Sequence, residues 1–413
     1  MWAFVKDWHL RTMARMLGFG KKRIYLDYAS APPVLKEAED AVYAARAFTG
    51  NPGAIHSEGV EAKRGLDTAR EKVAHLLGVK SREIIFTAGL TESNNIAILG
   101  TARAHERAKR SLAGTHWVVS SIEHTSVLDC FGEIERLGGT VTHIDPDERG
   151  IISPETVAAA LTKHTVLVSV GWANNEIGTI QPLSDIFRAI HAYEKEHSVT
   201  ILLHADAGQA PLYLATGINS LGVDLCSIGA NKLYGPHGVG CLFVSNRAEL
   251  TRTLQGGPQE RGLRPGTENV ALALGFAAAF ETIAAGREAE AMRVSGVRDA
   301  LADALLESIP GLIINGDRKR VLPHMLNVSI PGISSEYITL SLDQDGIAVS
   351  TKSACREGEE SRSHVVEALI PPALREVEGW RSKNTLRFSL GSDTNESDVA
   401  TIAKSLATIV ART

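Results

Sequence analysis

The stretch SIGANKLYGP, residues 227–236, places a lysine where an amine could do covalent chemistry. Lys232 follows the apolar run VDLCSIG and precedes a Gly and a Pro that turn the chain. A lysine at a strand exit with few charged neighbours loses its proton more easily than an exposed one, as a Schiff-base amine must. Most lysines near turns are solvated, so Lys232 indicates chemistry only if the chain also supplies a phosphate site and an acid for a pyridine nitrogen.

Other polar side chains follow predicted strands in the same way. The segment TAGLTESNN, residues 87–95, follows the strand EIIFT and opens a helix, so its free N–H groups and the helix dipole suit a phosphate. Asp206 ends the strand TILLHAD, where a carboxylate could keep a pyridinium nitrogen protonated, and Gln209 lies three residues on. The same position, just past a strand, holds His124, Asn174 and Asn175. Each residue alone is unremarkable, but parallel strands end at one edge, so together they predict a binding site.

Composition narrows the classes of function. The chain has 413 residues, 44% hydrophobic and 22% charged, which is typical of a globular protein of two or three domains. A formal net charge of −5 gives no basic surface for nucleic acid. No apolar stretch reaches the length of a membrane span, so we expect no integral membrane segment. The four cysteines form no CxxC pair, which argues against a disulfide framework or a zinc site.

Two features stand apart from this ordinary composition. Cys130, Cys226 and Cys241 lie in or near apolar runs and are predicted to be buried, whereas Cys355 precedes the charged run REGEESRSH, which predicts a mobile, exposed loop. Residues 1–23 form a basic N-terminal extension without the uninterrupted apolar core of a secretory signal. We expect this extension to pack on the body or fray, with a membrane-surface or partner-docking helix as the alternative.

The order of the predicted elements indicates an α/β fold. Helical patterns separate apolar, β-branched runs that predict strands at residues 83–87, 117–121, 165–170, 200–206 and 223–229. Continuous apolar strands that alternate with helices are typical of a parallel sheet covered on both faces. The run at 238–244 is predicted as an antiparallel or edge strand. A long alanine-rich helix at 268–286 then marks a domain joint, and residues 287–413 follow as a smaller α+β domain.

Ten segments, in their order and spacing, resemble the cysteine desulfurases of the NifS/IscS type, which are class V aminotransferase family enzymes. The segments are LDYASAPP, GNPGAIHSEG, TAGLTESNN, IEHTSVLD, NNEIGTIQP, HADAGQ, KLYGPHGVG, GGPQERGLRPGTENV, STKSAC and RFSLG. So many ordered motifs are far more specific than one glycine pattern. The resemblance implies an α/β, PLP-dependent transferase fold of type I, with a mostly parallel seven-stranded sheet in the large domain. That domain would span residues 37–286, and residues 24–36 and 287–413 would form the smaller α+β domain with the catalytic cysteine loop.

The resemblance also implies a cofactor, pyridoxal 5'-phosphate, which Lys232 would carry as a Schiff base. The phosphate would be held by Thr91, by the backbone at Leu90 and, in a homodimer, by the partner subunit's Thr267. Five side chains would contact the ring region: His124 by stacking, Asp206 at the pyridine nitrogen, and Asn175, Gln209 and Asn231 near the hydroxyl and the Schiff base. No resident metal is implied.

The implied reaction converts L-cysteine to L-alanine. Arg387, with Asn175, would bind the substrate carboxylate, for which a planar guanidinium is well shaped. Lys232 would remove the α-proton, and His124 would relay a proton to or from the substrate sulfur. Cys355 would take the sulfur as a persulfide and pass it to an acceptor protein for iron–sulfur cluster assembly or tRNA thiolation, with at most a transient contact between Cys355 and a cluster. The expected location is cytoplasmic.

The sequence departs from the family pattern at three places. Gly229, Ala230 and Asn231 stand where the family usually has Ser-x-His before the lysine, which predicts weaker but retained cofactor binding. Lys352 replaces a common Gly before Ser-Ala-Cys, where its charge could lower the pKa of Cys355. The residues 30–33, SAPP, replace Ala-Thr-Thr-Pro and leave the place of an active-site threonine open.

Three other functions are compatible with parts of this pattern. A selenocysteine lyase would use the same activation on selenium, and the relative turnover of the two amino acids separates them. A non-catalytic homologue that acts as a docking or regulatory partner would explain the altered residues before Lys232. An aminotransferase of the same fold would not need Cys355, so loss of sulfide release in Cys355→Ala would exclude it.

Overall fold

The computed structural model describes residues 23–109, 111–215, 217–351 and 362–412. The predictions for residues 1–22, Lys352 and Cys355 therefore lie outside the described residues. Within those ranges the chain forms twelve strands, β1 to β12: Ile24–Tyr25, Ile84–Thr87, His116–Ser120, Thr140–Ile144, Thr165–Ser169, Leu202–Asp206, Leu225–Gly229, Gly240–Val244, Ile313–Ile314, Met325–Ser329, Ile347–Ala348 and Thr385–Ser389.

The same ranges form thirteen α-helices, α1 to α13, joined by short 3₁₀ turns. Their bounds are Lys36–Ala44, Ser57–Leu77, Leu90–Lys109, Thr125–Arg136, Pro154–Ala160, Leu183–His197, Ile218–Leu221, Val270–Ser308, Ser335–Gln344, His364–Ala368, Arg375–Glu378, Trp380–Lys383 and Glu396–Ala411. Several begin at residues that cap a helix with a side chain, such as Ser153 before α5 and Asn395 before α13.

Seven strands form one large sheet in the order β2-β8-β7-β6-β5-β3-β4. The neighbours from β7 to β4 pair in parallel, and β8 alone runs antiparallel to both of its neighbours. The predicted mostly parallel, seven-stranded sheet is therefore confirmed. The run at 238–244 is antiparallel, as predicted, but it is not an edge strand because β2 lies outside it.

The sheet buries both of its faces, as its continuous apolar strands predicted. Val118 and Val168 pack in one hydrophobic cluster, and Trp117 and Leu167 pack in another. Alternate residues of a strand point to opposite faces, so two clusters are what a sheet covered on both sides requires. Strand β4 was not predicted, because it is a half-exposed edge strand with no apolar run.

The C-terminal part of the chain builds two smaller sheets. Strands β9, β10 and β12 form an antiparallel sheet in the order β12-β10-β9, and β1 pairs in parallel with β11. The pairing of β1 with β11, together with a bridge between Asp27 and Ser389, attaches residues 24–27 to the C-terminal part. The domain boundaries given above remain a prediction.

Helix α8 is longer than the sequence predicted, because it continues as one helix from Val270 to Ser308. Among the described residues it is the one helix long and apolar enough to cross a membrane by length and composition alone. It packs against α1, α2 and α13 and buries Phe276 and Phe280. Core helices meet the same length and composition test, and this packing is what a core helix requires.

Candidate active site

A cleft of about 930 Å³ opens where β2, β3, β5, β6 and β7 end. Nine of the predicted site residues line it: Leu90, Thr91, His124, Asn175, Asp206, Gln209, Asn231, Lys232 and Arg387. Thr267 is exposed and lies outside the lining of this cleft. Cys355 lies outside the described residues. The carboxyl ends of parallel strands thus bring most of the predicted residues together, where open α/β sheets bind ligands.

Glycines bring the backbone close together at one end of the cleft, between β2 and α3. Gly89 has a φ of +147°, which a residue with a side chain rarely adopts. A Cβ atom on Gly240 would lie 2.5 Å from the Ile228 carbonyl oxygen and 2.9 Å from Gly89 Cα, so this loop sits directly on β8. Helix α3 then begins at Leu90, and the N–H groups of a first helical turn have no partners within the helix. This end can therefore bind an anion.

The first turn of α3 also carries an acid whose charge is compensated. The Glu92 carboxylate accepts a hydrogen bond from the Ala88 N–H and pairs with Arg264, whose Nε lies 3.3 Å from Oε1. Arg264 belongs to the same loop as Thr267, so this ion pair connects that loop to the start of α3. Neither Glu92 nor Arg264 was identified from the sequence.

Lys232 ends a 3₁₀ turn, Ala230–Lys232, that follows β7. Its Nζ donates hydrogen bonds to the carbonyl oxygens of Ala29 at 2.8 Å and Ser30 at 2.6 Å. These acceptors are neutral, so they orient the amine at the cleft without adding a charge to the site. Gln209 donates to the Ala29 carbonyl as well, at 2.9 Å from Nε2, which places the segment after β1 between two predicted site residues.

A chain of hydrogen bonds connects Asp206 to His124. The Asn94 amide nitrogen donates to Asp206 Oδ2 at 2.8 Å and to Ser126 Oγ at 2.9 Å. Ser126 Oγ lies in turn 2.9 Å from His124 Nδ1, and the Gly208 N–H donates to the other Asp206 oxygen at 2.8 Å. Since the amide uses its hydrogens on Asp206 and Ser126, the serine hydroxyl can donate its own hydrogen to His124.

This chain determines which nitrogen of His124 carries the proton. His124 caps helix α4, and its Nδ1 accepts a hydrogen bond from the Ser126 backbone N–H at 3.1 Å. A nitrogen that accepts has no hydrogen, so the neutral ring carries its proton on Nε2. Burial lowers the pKa of His124, against an opposing effect of the nearby Asp206 carboxylate and a smaller effect of Lys232 in the same direction as burial. His124 is therefore held as a neutral Nε2–H donor.

Arg387 lies at the other end of the cleft, on β12, and is 2% exposed. Its Nη1 donates to the Asn175 carbonyl at 2.9 Å, and its Nη2 donates to Asp27 Oδ1 and Ser30 Oγ, each at 2.7 Å. Ser30 Oγ also donates to Asp27 at 2.8 Å, so a hydroxyl is present at this end despite the changed SAPP segment. Among the described residues the Arg387 Nε has no partner. The guanidinium is thus oriented and partly neutralised, and its buried Nε keeps an unused hydrogen.

Asn174 and Glu123, the sequence neighbours of Asn175 and His124, hydrogen-bond to backbone groups around the cleft. Asn174 donates to the Ile122 carbonyl at 2.7 Å and accepts from the N–H groups of Glu176 and Ile177, so it stabilises the turn that presents Asn175. The buried Glu123 accepts from the Gly171 N–H at 2.8 Å. Burial raises the pKa of Glu123 to about 8, with a further increase from Asp206 and a decrease from the Gly171 hydrogen bond. Glu123 is therefore protonated at neutral pH.

Both ends of the segment that contains Cys355 are attached beside the cleft. Before it, Ser350 exchanges backbone hydrogen bonds with Arg387, at 2.7 and 3.2 Å. After it, the Ser363 hydroxyl donates to Glu176 at 2.5 Å, and His364 Nε2 lies 3.0 Å from the Glu123 carbonyl oxygen.

The other cysteines are buried, as predicted. Cys130, Cys226 and Cys241 are 3%, 0% and 0% exposed. Burial raises the pKa of the Cys130 thiol to about 12 and raises those of the other two as well. A thiol must ionise to act as a nucleophile, so these three cysteines are unreactive at neutral pH.

A family model described as aminotransferase class-V matches residues 24–402. The chain belongs to the class V aminotransferase family. It is 38% identical over 382 residues to the cysteine desulfurase IscS of Dictyoglomus turgidum, covering 92% of each chain. It is 36% identical to the putative cysteine desulfurase IscS 1 of Bacillus subtilis, covering 95% of this chain and 99% of that protein.

Solved structures agree with the sequence relatives. A NifS-like protein has a TM-score of 0.85 and 32% identity, covering 95% of this chain and all 100% of its own. SspA in complex with cysteine has a TM-score of 0.74 and 30% identity, covering 89% of this chain and 99% of its own. The predicted resemblance to cysteine desulfurases of the NifS/IscS type and the predicted fold class are confirmed.

Class V aminotransferase membership implies pyridoxal phosphate, and the cleft fits that cofactor. A glycine-lined helix start suits a phosphate, Asp206 suits a pyridinium nitrogen, and Lys232 supplies an amine. Asp27, Asn94 and Ser126, which orient Arg387, Asp206 and His124, were not predicted from the sequence. Asn94 lies three residues beyond Thr91, about one helical turn, and this spacing was its available signal. Ser126 is the second residue of the helix that His124 caps, so its signal was the spacing of a helix cap.

Proposed function

We propose that this protein is an L-cysteine desulfurase that uses pyridoxal 5'-phosphate and passes sulfur, as a persulfide on Cys355, to an acceptor protein for iron–sulfur cluster assembly or tRNA thiolation. The observation that carries the proposal is the convergence of Lys232, Asp206 and Arg387 on one cleft. An amine, an acid for a pyridine ring and a carboxylate-binding guanidinium are what this reaction requires at one site. The names of the relatives support the same activity.

The described residues supply a holding group for each part of the cofactor. Lys232 would hold it covalently, Thr91 and the backbone at Leu90 would hold the phosphate, and Asp206 would hold the ring nitrogen. His124, Asn175, Gln209 and Asn231 line the remaining space around the ring. When bound, the cofactor supplies an electrophilic carbon for the substrate amine and an electron sink for the Cα–H bond. The hydrogen bonds from Asn94 and Gly208 keep the Asp206 carboxylate oriented for this task.

Arg387 binds and orients the substrate carboxylate. Its guanidinium is fixed by Asn175, Asp27 and Ser30 before substrate arrives, so little conformational entropy is lost on binding. Asp27 offsets the positive charge of the guanidinium while the site is free of substrate.

Two side chains of the cleft handle protons. Lys232 Nζ removes the proton from the substrate Cα and can return it during the formation of alanine. His124 donates a hydrogen bond through Nε2–H, because Nδ1 is occupied by Ser126. Burial and the Ser126 contacts keep the ring neutral, so it adds no positive charge to the cleft.

Sulfur transfer belongs to Cys355. Its thiolate attacks the sulfur of the substrate, and a sulfur–sulfur bond forms as the substrate carbon–sulfur bond breaks. The electron pair of the broken bond stays with the carbon skeleton, which takes up a proton to become alanine. The anchoring of Ser350 at Arg387 and of His364 at Glu123 supports delivery of Cys355 to this cleft. No resident metal is required by this chemistry.

Two further parts of the proposal concern the assembly and its location. We propose a homodimer in which the exposed Thr267 reaches the phosphate site of the second copy, since it lies outside its own cleft. We also propose a cytoplasmic location, where protein acceptors of sulfur would be available. Size-exclusion chromatography with light scattering should give twice the chain mass of 44.3 kDa, and a monomeric protein would contradict the first statement.

Sulfide and alanine production from L-cysteine tests the proposed reaction, with dithiothreitol present to reduce the persulfide and release its outer sulfur as sulfide. The wild type should produce both, Lys232→Ala should produce neither, and Cys355→Ala should lose sulfide release. Cys130→Ala is the matched control, because that buried thiol should be dispensable. Alanine formation from selenocysteine at a much higher rate than from cysteine would instead indicate a selenocysteine lyase. Wild-type protein that binds pyridoxal phosphate but releases no sulfide would contradict the proposal.

A further inference from the structure

Leu90 occupies a slot between two glycines at the phosphate end of the cleft. A Cβ atom on Gly229 would lie 2.8 Å from Leu90 Cγ, and a Cβ on Gly208 would lie 2.9 Å from Leu90 Cδ1. Contacts under about 3 Å between carbon atoms require one of them to move. Leu90 itself is half-buried and lines the cleft, so its side chain forms part of the wall.

Glycine is favoured at positions 208 and 229 because Leu90 fills the volume that a Cβ atom would need, and not because of the backbone conformation. Neither Gly208 nor Gly229 has a φ in the left-handed region, in contrast to Gly89 and Gly238. A residue with a side chain could therefore adopt the backbone conformation at 229, but Leu90 fills the volume that its Cβ would need. The identity of residue 229 is thus coupled to the identity of residue 90.

We propose that Leu90 and Gly229 form an interdependent pair that determines the shape and polarity of the phosphate end of the cofactor site, with the apolar Leu90 side chain in the place that a polar side chain at 229 would fill. This inference rests on the proposed function, because it assigns the pair to pyridoxal phosphate. Asn231 borders the same slot, since its Oδ1 would lie 2.9 Å from a Cβ on Gly229. A larger residue at 229 must displace Leu90 or Asn231, and the cleft is the open space beside both.

The proposed pair predicts that Gly229→Ser changes cofactor affinity in opposite directions with and without the Leu90 side chain. With Leu90 present, Gly229→Ser should weaken the binding of pyridoxal phosphate about tenfold, because overpacking pushes a side chain into the cofactor space. In a Leu90→Ala background the slot is open, so the same serine can donate its hydroxyl to the phosphate. There Gly229→Ser should tighten binding about tenfold to a hundredfold, which is what one hydrogen bond to a charged group contributes.

Equilibrium binding of pyridoxal phosphate to four apoproteins tests this coupling: wild type, Gly229→Ser, Leu90→Ala and the double variant. Imine absorption measures loading, and thermal unfolding of each apoprotein measures stability separately. Gly286→Ser is the matched control, because a Cβ there meets no atom within 4 Å and should not change affinity. If Gly229→Ser does not fold, Gly229→Ala introduces the same Cβ contact with one fewer atom.

The outcomes separate this inference from the proposed function. Wild type that forms no imine with pyridoxal phosphate contradicts the proposed function itself. Wild type that binds normally, while Gly229→Ser changes affinity by the same factor in both backgrounds, contradicts the coupling alone. The tightening in the Leu90→Ala background should appear with pyridoxal phosphate and not with pyridoxal; equal tightening of both would contradict the assignment to the phosphate end.

Discussion

Removing the Ser126 hydroxyl should raise the pKa of His124. The hydroxyl lies 2.9 Å from His124 Nδ1, and its hydrogen bond requires the lone pair that only the neutral ring has on that atom. A neutral hydrogen bond contributes about 0.5–1.5 kcal/mol net, and about 1.36 kcal/mol corresponds to one pH unit. Ser126→Ala should therefore raise the pKa of His124 by about 0.4–1.1 pH units, while the Ser126 backbone N–H still caps Nδ1.

The assay is the pH dependence of kcat/KM for sulfide release, whose acid limb reports groups of the free enzyme. If turnover requires neutral His124, the acid limb of the Ser126→Ala profile should move to higher pH by the same amount, about 0.4–1.1 pH units. Ser126→Thr keeps a hydroxyl and should restore the wild-type limb. In a His124→Asn background the Ser126→Ala change should leave the limb in place, because no imidazole remains to titrate.

An acid limb that stays in place or moves to lower pH would refute this reasoning. The first result would mean that the hydroxyl does not donate to Nδ1, and the second that it stabilises the charged ring. A fall in kcat without a shifted limb would assign Ser126 to packing only.

Three further predictions concern other residues of the cleft. Asp27→Asn removes the carboxylate partner of the buried Arg387 and should destabilise the protein by about 1.5–3 kcal/mol. Added L-alanine should raise the melting temperature of the variant more than that of the wild type. An equal rise in both proteins would count against the pairing of Asp27 with Arg387. The raised pKa of Glu123, about 8 against an ordinary 4.5, means that the native state keeps a proton that the unfolded chain loses, so this residue's contribution to stability falls as pH rises from about 4.5 to 8. Glu123→Gln mimics the protonated acid, so its melting temperature relative to wild type should be higher at pH 8.5 than at pH 5.5, and a pH-independent difference would contradict the assignment. Asn231→His should lower the dissociation constant for pyridoxal phosphate, measured by equilibrium dialysis, and an unchanged constant would show that the amide already replaces the imidazole.

The elements with strong local patterns could be predicted from the sequence. Continuous apolar strands predicted the parallel sheet, and polar residues just past them predicted the cleft, because strand ends meet at one edge. Strand β4 escaped prediction because its residues are polar and half-exposed. Helix α8 was predicted too short, since its second half, with buried Val297 and Leu301, has more charged residues than its alanine-rich first half.

The missing parts of the site depend on contacts between residues distant in sequence. Asn94 lies 112 residues from Asp206, and Asp27 lies 360 residues from Arg387, so no local pattern could pair them. The slot between Gly208 and Gly229 is likewise visible only when Leu90 is placed between them. The sequence predicted candidate residues for the chemistry, and the structure was needed to find the residues that orient them.

Trapping of the cofactor on its lysine tests the central claim most directly. We propose that Lys232, at the end of the 3₁₀ turn that follows β7, forms an imine with pyridoxal phosphate. Reduction of the loaded protein with borohydride, followed by peptide mass spectrometry, should place the reduced cofactor on Lys232 in the peptide that contains LYGPHG. A cofactor adduct on another lysine, or loaded protein with an unmodified Lys232, would contradict the account.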